Sequence, residues 1–228
     1  LSATPSLFLT GQALGNNYAV GGAKAIDADG NEATPDTNLP TQINSYLAFN
    51  GGIADPDALY IVIIGGNDLF AAQGIRSGVV SATSGQERSA IRKAARESVK
   101  NAVLTIEAQV MKLVAAGAQN ILIGNAPDIG SVPATDLLVA NLLAGAQSKS
   151  QEKKAIRMFE ASTKLSALFN QKLSRAIGRI EKNSGLDIFE WDLFGFLTSQ
   201  VDAGADIGLT NTEDACNSLQ LCEGILFV

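Results

Sequence analysis

The chain has 228 residues, of which 46% are hydrophobic and 18% charged, with a formal net charge of -6 and no histidine. The empty histidine column excludes a Ser-His-Asp triad, a Cys-His dyad or a His-ligated metal built from these residues alone, and two cysteines exclude a four-thiolate zinc site. No apolar run approaches the roughly 20 residues of a membrane-spanning helix, and the acidic balance argues against a nucleic-acid or anionic-membrane partner.

In chain order, residues 16–20 read as a short strand closed by Gly21-Gly22. Residues 39–50 carry Ile43, Tyr46 and Leu47 at helical spacing, and Gly51-Gly52 stops that helix. Residues 58–64 are apolar and rich in β-branched side chains, as in a strand buried on both faces of a parallel sheet, and they end at Gly65-Gly66-Asn67-Asp68. The Gly- and Ser-rich stretch 73–85 reads as a loop or flap. From Ser89, Ile91, Ala95, Val99, Val103, Ile106, Val110 and Leu113 recur every three or four positions, predicting one long amphipathic helix ended by Gly117.

Residues 120–124 form the next expected strand, followed by a loop with Pro127, Gly130 and Pro133. A helix is expected over 136–146, and another from about Gln151 carrying Ile156, Phe159, Leu165, Phe169, Leu173, Ile177 and Ile180. The charge run Glu152-Lys153-Lys154 reads as a solvated helix start. Residues 186–191 read as a strand, 193–201 as a short helix, and 225–228 as the start of an apolar element. Strands alternating with long helices, without repeats or linkers, predict a single α/β layered domain.

In an open parallel sheet, chemistry collects at loops leaving the carboxyl ends of strands. Gly21-Gly22, Gly65-Gly66-Asn67-Asp68 and the 124–130 loop occupy such places. Taken singly they allow plain readings: glycines for close packing, Asn67 as a turn residue and Asp68 as a helix N-cap. Neither glycine pair fits a phosphate loop, since G-x-x-x-x-G-K-[ST] and G-x-G-x-x-G are both absent.

Together they carry a more specific signal. NYAVGGA over 17–23 followed by LYIVIIGGNDL over 59–69 resembles blocks II and III of the GDSL, or SGNH, family of serine ester hydrolases. Gln42-Ile43 before Tyr46-Leu47, Asp57-Ala58-Leu59, Gly117-Ala118, GNAPDIGSVP over 124–133, Phe169-Asn170 with Leu173, and Cys216 and Cys222 before ILFV follow in the family's order. The resemblance implies a flavodoxin-like α/β/α sandwich with five parallel strands in order 2-1-3-4-5. It implies hydrolysis of carboxylic esters through an acyl-serine, a small-molecule or lipid ester as substrate, and no cofactor. Matched residue by residue, Gly22 and Asn67 become oxyanion-hole donors, with Gly21 the weaker alternative to Gly22.

The family's G-D-S-[LI] nucleophile turn and its D-x-x-H acid–base block have no counterpart in these residues. Because the chain opens on Leu1 without a signal-peptide pattern and ends on an apolar run at Val228, the expectation is a segment cut at both ends. Its first family strand would be missing, residues 16–20 and 58–64 would not pair with each other, and the segment alone would be inactive and poorly stable. Ser6 lies in no glycine turn and is not expected to be a nucleophile. Asp192 reads as structural or rim, and Trp191 and residues 194–196 as core or acyl-pocket lining.

Cys216 and Cys222 are separated by five residues in a polar loop. They are a candidate local disulfide, which would place the protein in an oxidising compartment, with free thiols as the alternative. The resemblance agrees: similar members are often exported, some as passengers of outer-membrane autotransporters, so a secreted, cell-surface or periplasmic location is expected. Two other functions stay open on the sequence: a non-catalytic SGNH-like binding module, and a flavodoxin-like nucleotide or flavin binder.

Overall fold

The computed structural model describes residues 3–12, 14–27, 36–215 and 225–227. The chain divides into two compact units, one of Leu1–Asp68, Lys100–Asn125 and Gln171–Trp191, the other of Leu69–Val99, Ala126–Asn170 and Asp192–Val228.

The first unit is built on three parallel strands, β1 (Leu59–Ile63), β2 (Asn120–Gly124) and β3 (Ile188–Trp191), in the order β1-β2-β3. This mixed α/β architecture with a parallel sheet is that of the expected sandwich, and the run matches strands 3-4-5 of its order. Helix α1 (Leu39–Phe49) starts with proline in its first turn, where the fixed φ suits a helix and the missing N–H costs nothing.

Residues 16–20, expected as a strand, form only a single parallel bridge between Pro5 and Asn17. Paired strands lower the cost of extended backbone, and beyond that bridge 18–20 have no ladder partner. Among the described residues β1 pairs only with β2, so the expected absence of pairing between 16–20 and β1 is observed.

The apolar run of β1 predicted burial on both faces, and the structure corrects this. Leu59, Ile61 and Ile63 are 50%, 58% and 48% exposed, whereas Val62 between them is buried. Ile61 sits in register with Leu122 and Phe189, and Phe189 is 65% exposed. Side chains alternate across a strand, so one sheet face carries Ile121, Ile123 and Ile188 into the core while the other presents an apolar surface to solvent. Gly124 sits on that open face where Ile63 and Trp191 converge, and a Cβ there would lie 2.9 Å from Ile63 Cγ1. The isolated 228-residue chain is therefore expected to enhance 1-anilinonaphthalene-8-sulfonate fluorescence. Ile61→Thr with Phe189→Thr should reduce that signal by at least about half while leaving Tm nearly unchanged, as expected for contiguous exposed apolar surface. Undiminished fluorescence in the double variant would place the dye elsewhere.

The long amphipathic pattern forms α3 (Gly85–Ala115), starting four residues before Ser89 because Ser84 Oγ accepts from Glu87 N–H (3.0 Å) while the Glu87 carboxylate accepts from Thr83 N–H (2.8 Å). Of the stretch expected as a loop, 73–77 complete α2 (Gly66–Ser77), and 78–84 form the expected irregular connection to α3. Leu69, Ala72 and Gln73 are buried at helical spacing, and this apolar anchoring outweighs the flexibility of Gly74. Gln73 donates both amide hydrogens, to Thr135 Oγ1 (2.6 Å) and Ser162 Oγ (2.8 Å), so its buried amide is not an isolated polar group.

Helix α4 (Pro133–Ala144) begins three residues before its expected start, again at a proline. The single helix expected from Gln151 is two, α5 (Lys149–Ile156) and α6 (Met158–Ser184), interrupted at Arg157. Lys154 is not simply solvated: its Nζ donates to the Val80 and Ala82 carbonyls, both at 3.4 Å. Helix α7 (Leu193–Ala203) buries none of its residues, so of the two places expected for Phe194 and Phe196, core or acyl-pocket lining, the core is ruled out. The chain's last described strands, β4 (Asn211–Ala215) and β5 (Ile225–Phe227), pair in parallel.

Candidate active site

Two loops of the first unit meet at the positions singled out by the sequence. The 17–25 segment is held residue by residue. Asn17 exchanges backbone hydrogen bonds with Thr4 and Ser6, at 2.9 Å each. Tyr18 stacks on Phe8, with centroids 5.6 Å apart, and meets Tyr46 edge-on at 5.5 Å. Tyr46 is in turn bonded through its hydroxyl to Tyr60 of β1, at 2.7 Å. Tyr60 donates to the Asp55 carbonyl (2.9 Å), which leaves Tyr46 as donor between the two hydroxyls. Burial, then the bond to Tyr46, raises the Tyr60 pKa far above the ordinary phenol range, so Tyr60 stays neutral and its role is structural.

Beyond Tyr18 the chain turns sharply. Ala23 N–H donates to the Val20 carbonyl at 3.2 Å, and Gly22 takes φ 78°, as the third residue of a type II turn requires. Nothing lies within 4 Å of a Cβ built on Gly22, so its glycine answers to backbone conformation, not to crowding. After the turn, Lys24 N–H donates to Asn38 Oδ1 (2.8 Å) and Ala25 N–H to Asp68 Oδ2 (2.8 Å).

The second loop leaves the carboxyl end of β1. Gly65 takes φ 116°, and Gly66 begins α2. Asn67 in the first turn donates Nδ2–H to the Ala23 carbonyl at 2.9 Å. That bond fixes the amide beside the Gly22 turn, and its second hydrogen has no acceptor among the described residues. The structure thus brings Gly22 and Asn67 together, although 44 residues separate Asn67 from the Ala23 it holds.

Asp68 was readable as a helix cap, but its carboxylate reaches back to the other loop. It is 1% exposed, and burial raises its pKa. The N–H groups of Ala25, Ile26 and Asp68 itself, with the charge of Lys24, act in the opposite direction without cancelling the burial. The sequence held one sign of this role, a carboxylate placed at the mouth of an apolar strand, where a charge must find buried donors.

The remaining sequence candidates lie elsewhere. Ser6 is buried, with Oγ accepting from Phe8 N–H at 3.4 Å. Asp192 caps α7, accepting from Gly195 N–H at 3.0 Å. Cys216 and Cys222 fall outside the described residues. In the 124–133 stretch, Asn170 clamps Ala126 by accepting from its N–H and donating to its carbonyl, both at 2.9 Å, and Asp128 accepts from Gly130 N–H and Thr163 Oγ1. A Cβ on Gly130 would lie 2.1 Å from Thr163 Oγ1 and 2.7 Å from the Phe159 carbonyl, which accounts for the glycine. Among the described residues no helix is long and apolar enough to cross a membrane.

Lipase 1 of Photorhabdus luminescens is 32% identical over 119 residues, an alignment covering 52% of this chain and 15% of that protein, so the chain spans a small part of its relative's length. The sequence model of the GDSL-like lipase/acylhydrolase family matches residues 6–223, nearly the whole chain. The chain belongs to the GDSL-like lipase/acylhydrolase family.

Proposed function

We propose that these residues form the oxyanion-binding half of a serine ester hydrolase acting on small-molecule or lipid carboxylic esters. The observation that carries this reading is the Asn67 amide, held by the Ala23 carbonyl next to the Gly22 turn, with its second hydrogen taken by no acceptor among the described residues.

When a serine attacks an ester carbonyl, negative charge grows on the carbonyl oxygen. Donors fixed in advance about 3 Å from that oxygen stabilise the tetrahedral state more than the planar ester, because they need no reorganisation as charge develops. Asn67 Nδ2–H and the Gly22 N–H are two such donors. A neutral amide suits the task, since it donates without carrying a charge that would shift a neighbouring base. Asp68 serves the chemistry indirectly, by tying the 22–26 loop to the start of α2. These 228 residues contain no histidine, so the proton shuttle of a serine mechanism has to come from residues outside them. Export into an oxidising compartment, with Cys216 and Cys222 joined, belongs to the same proposal.

The test is turnover by the complete encoded protein. We expect hydrolysis of p-nitrophenyl butyrate and stoichiometric covalent labelling by a fluorophosphonate, the signature of an acyl-serine route. Absence of both activities, with the fold intact by circular dichroism, would support a binding module instead, and a bound yellow chromophore a flavin protein.

A further inference from the structure

The net charge of -6 conceals a local concentration of positive charge in the second unit. Arg92 and Arg96 lie one turn apart on α3 and so project from the same face. With Ser89, Lys93 and Glu97, all exposed and all on α3, they border an open surface groove. Arg76, in the last turn of α2, is near enough that its guanidinium feels both: burial lowers its pKa first, and the charges of Arg92 and Arg96 lower it further. Among the described residues none of these three arginines is in an ion pair. Like charges one helical turn apart oppose folding, so a cluster of this kind is left under electrostatic stress that an anion would relieve.

We propose that the Arg76–Arg92–Arg96 cluster, with Lys93 and Ser89 beside it, is a binding site for a phosphate-bearing anion. The chemistry favours phosphate over a lone carboxylate. Arg92 and Arg96 offer two guanidinium forks from one face of α3, with the charge of Arg76 felt by both, and a tetrahedral group with three or four oxygens and up to two charges can engage more than one fork at once. Glu97 is the one carboxylate on the same lining, against the three cations Arg92, Lys93 and Arg96. The site is independent of the ester-hydrolysis reading, and it reverses the expectation drawn from overall charge that no anionic partner is accommodated.

The experiment uses the complete encoded protein at low ionic strength. Inorganic phosphate is titrated calorimetrically, and sedimentation with phosphatidylglycerol vesicles is compared with phosphatidylcholine vesicles. We expect saturable phosphate binding that weakens as sodium chloride is added. Arg92→Ala with Arg96→Ala, both exposed positions, should weaken it by about tenfold or more through loss of two charge-assisted contacts. Lys164→Ala, at an exposed lysine paired with Glu160, is the control and should bind as the parent does. Retention on phosphatidylglycerol alone, lost in the double variant, assigns the phosphate to a lipid headgroup, and phosphate binding without vesicle retention assigns it to a soluble ligand. The proposal is overturned if neither probe binds, or if the double variant, folded by circular dichroism, binds both as tightly as the parent.

Discussion

In the complete encoded protein, Asn67→Ala is expected to lower kcat for ester hydrolysis by about 10²–10³, the usual loss for one oxyanion donor. KM should stay within about threefold, because a contact made only as charge develops contributes little to binding the ground state. The same substitution removes the bond to the Ala23 carbonyl, a polar contact of part-buried groups worth about 1 kcal/mol, so the fold should survive and Tm should fall only slightly. Asn67→Asp sharpens the test. It is nearly isosteric but turns a donor into a charged acceptor, facing both the Ala23 carbonyl and the nascent oxyanion, and it should be at least as damaging as Ala. A kcat loss below about threefold in Asn67→Ala would remove this residue from the mechanism.

Asp68→Ala is expected to act mainly on stability. Ala25 is fully buried and its N–H donates to the Asp68 carboxylate, so truncation leaves a donor unsatisfied and removes a charge-assisted bond. Together these cost about 2–4 kcal/mol, or roughly 4–16 °C in Tm at about 2–4 °C per kcal/mol for a chain of this size. Asp68→Asn retains an acceptor and should recover much of the loss. The pH dependence separates the two contributions. Because burial raises the folded-state pKa of Asp68, the folded protein binds a proton where the unfolded chain has already released it. The stability this proton linkage provides is fully present below the unfolded carboxylate pKa and is lost as pH rises through the folded value. Relative to Asp68→Asn, which cannot titrate, the parent should therefore be most favoured below the unfolded carboxylate pKa and lose ground as pH rises through the folded value. Parallel Tm profiles for the parent and Asp68→Asn would show that the carboxylate does not titrate in this window.

Much of the framework was legible because its signals are local. The recurrence from Ile91 to Leu113 marks α3, and strand β2 falls on the residues its apolar run marked. Errors arose where a local signal and a tertiary one disagree. Gly74 and the serines around it suggest a loop, but the burial of Leu69, Ala72 and Gln73 holds α2 together, and burial is not written in composition. The β-branched run of β1 marks a strand but not its cover, because apolar residues state what a strand tolerates, not which neighbours exist. Gly22 and Asn67 were located by motif. Their juxtaposition, and the reach of Asp68 to Ala25, depend on hydrogen bonds between loops more than forty residues apart, which no periodicity encodes. The arginine cluster was hidden for a related reason: a net charge is a sum over the chain, whereas a ligand meets a local field.

The turn at Gly22 is selective for handedness. Its φ of 78° belongs to the half of conformational space that L-residues avoid, and the space around a Cβ there is open. A mirror-image residue such as D-alanine would fit that conformation without strain, whereas L-alanine would be driven to flip the peptide and re-aim the N–H next to the Asn67 amide. Among the genetically encoded residues, asparagine is the replacement most at ease with this sign of φ. At this position, then, glycine stands in for a residue of opposite chirality, and what its achirality preserves is the direction in which one backbone hydrogen points.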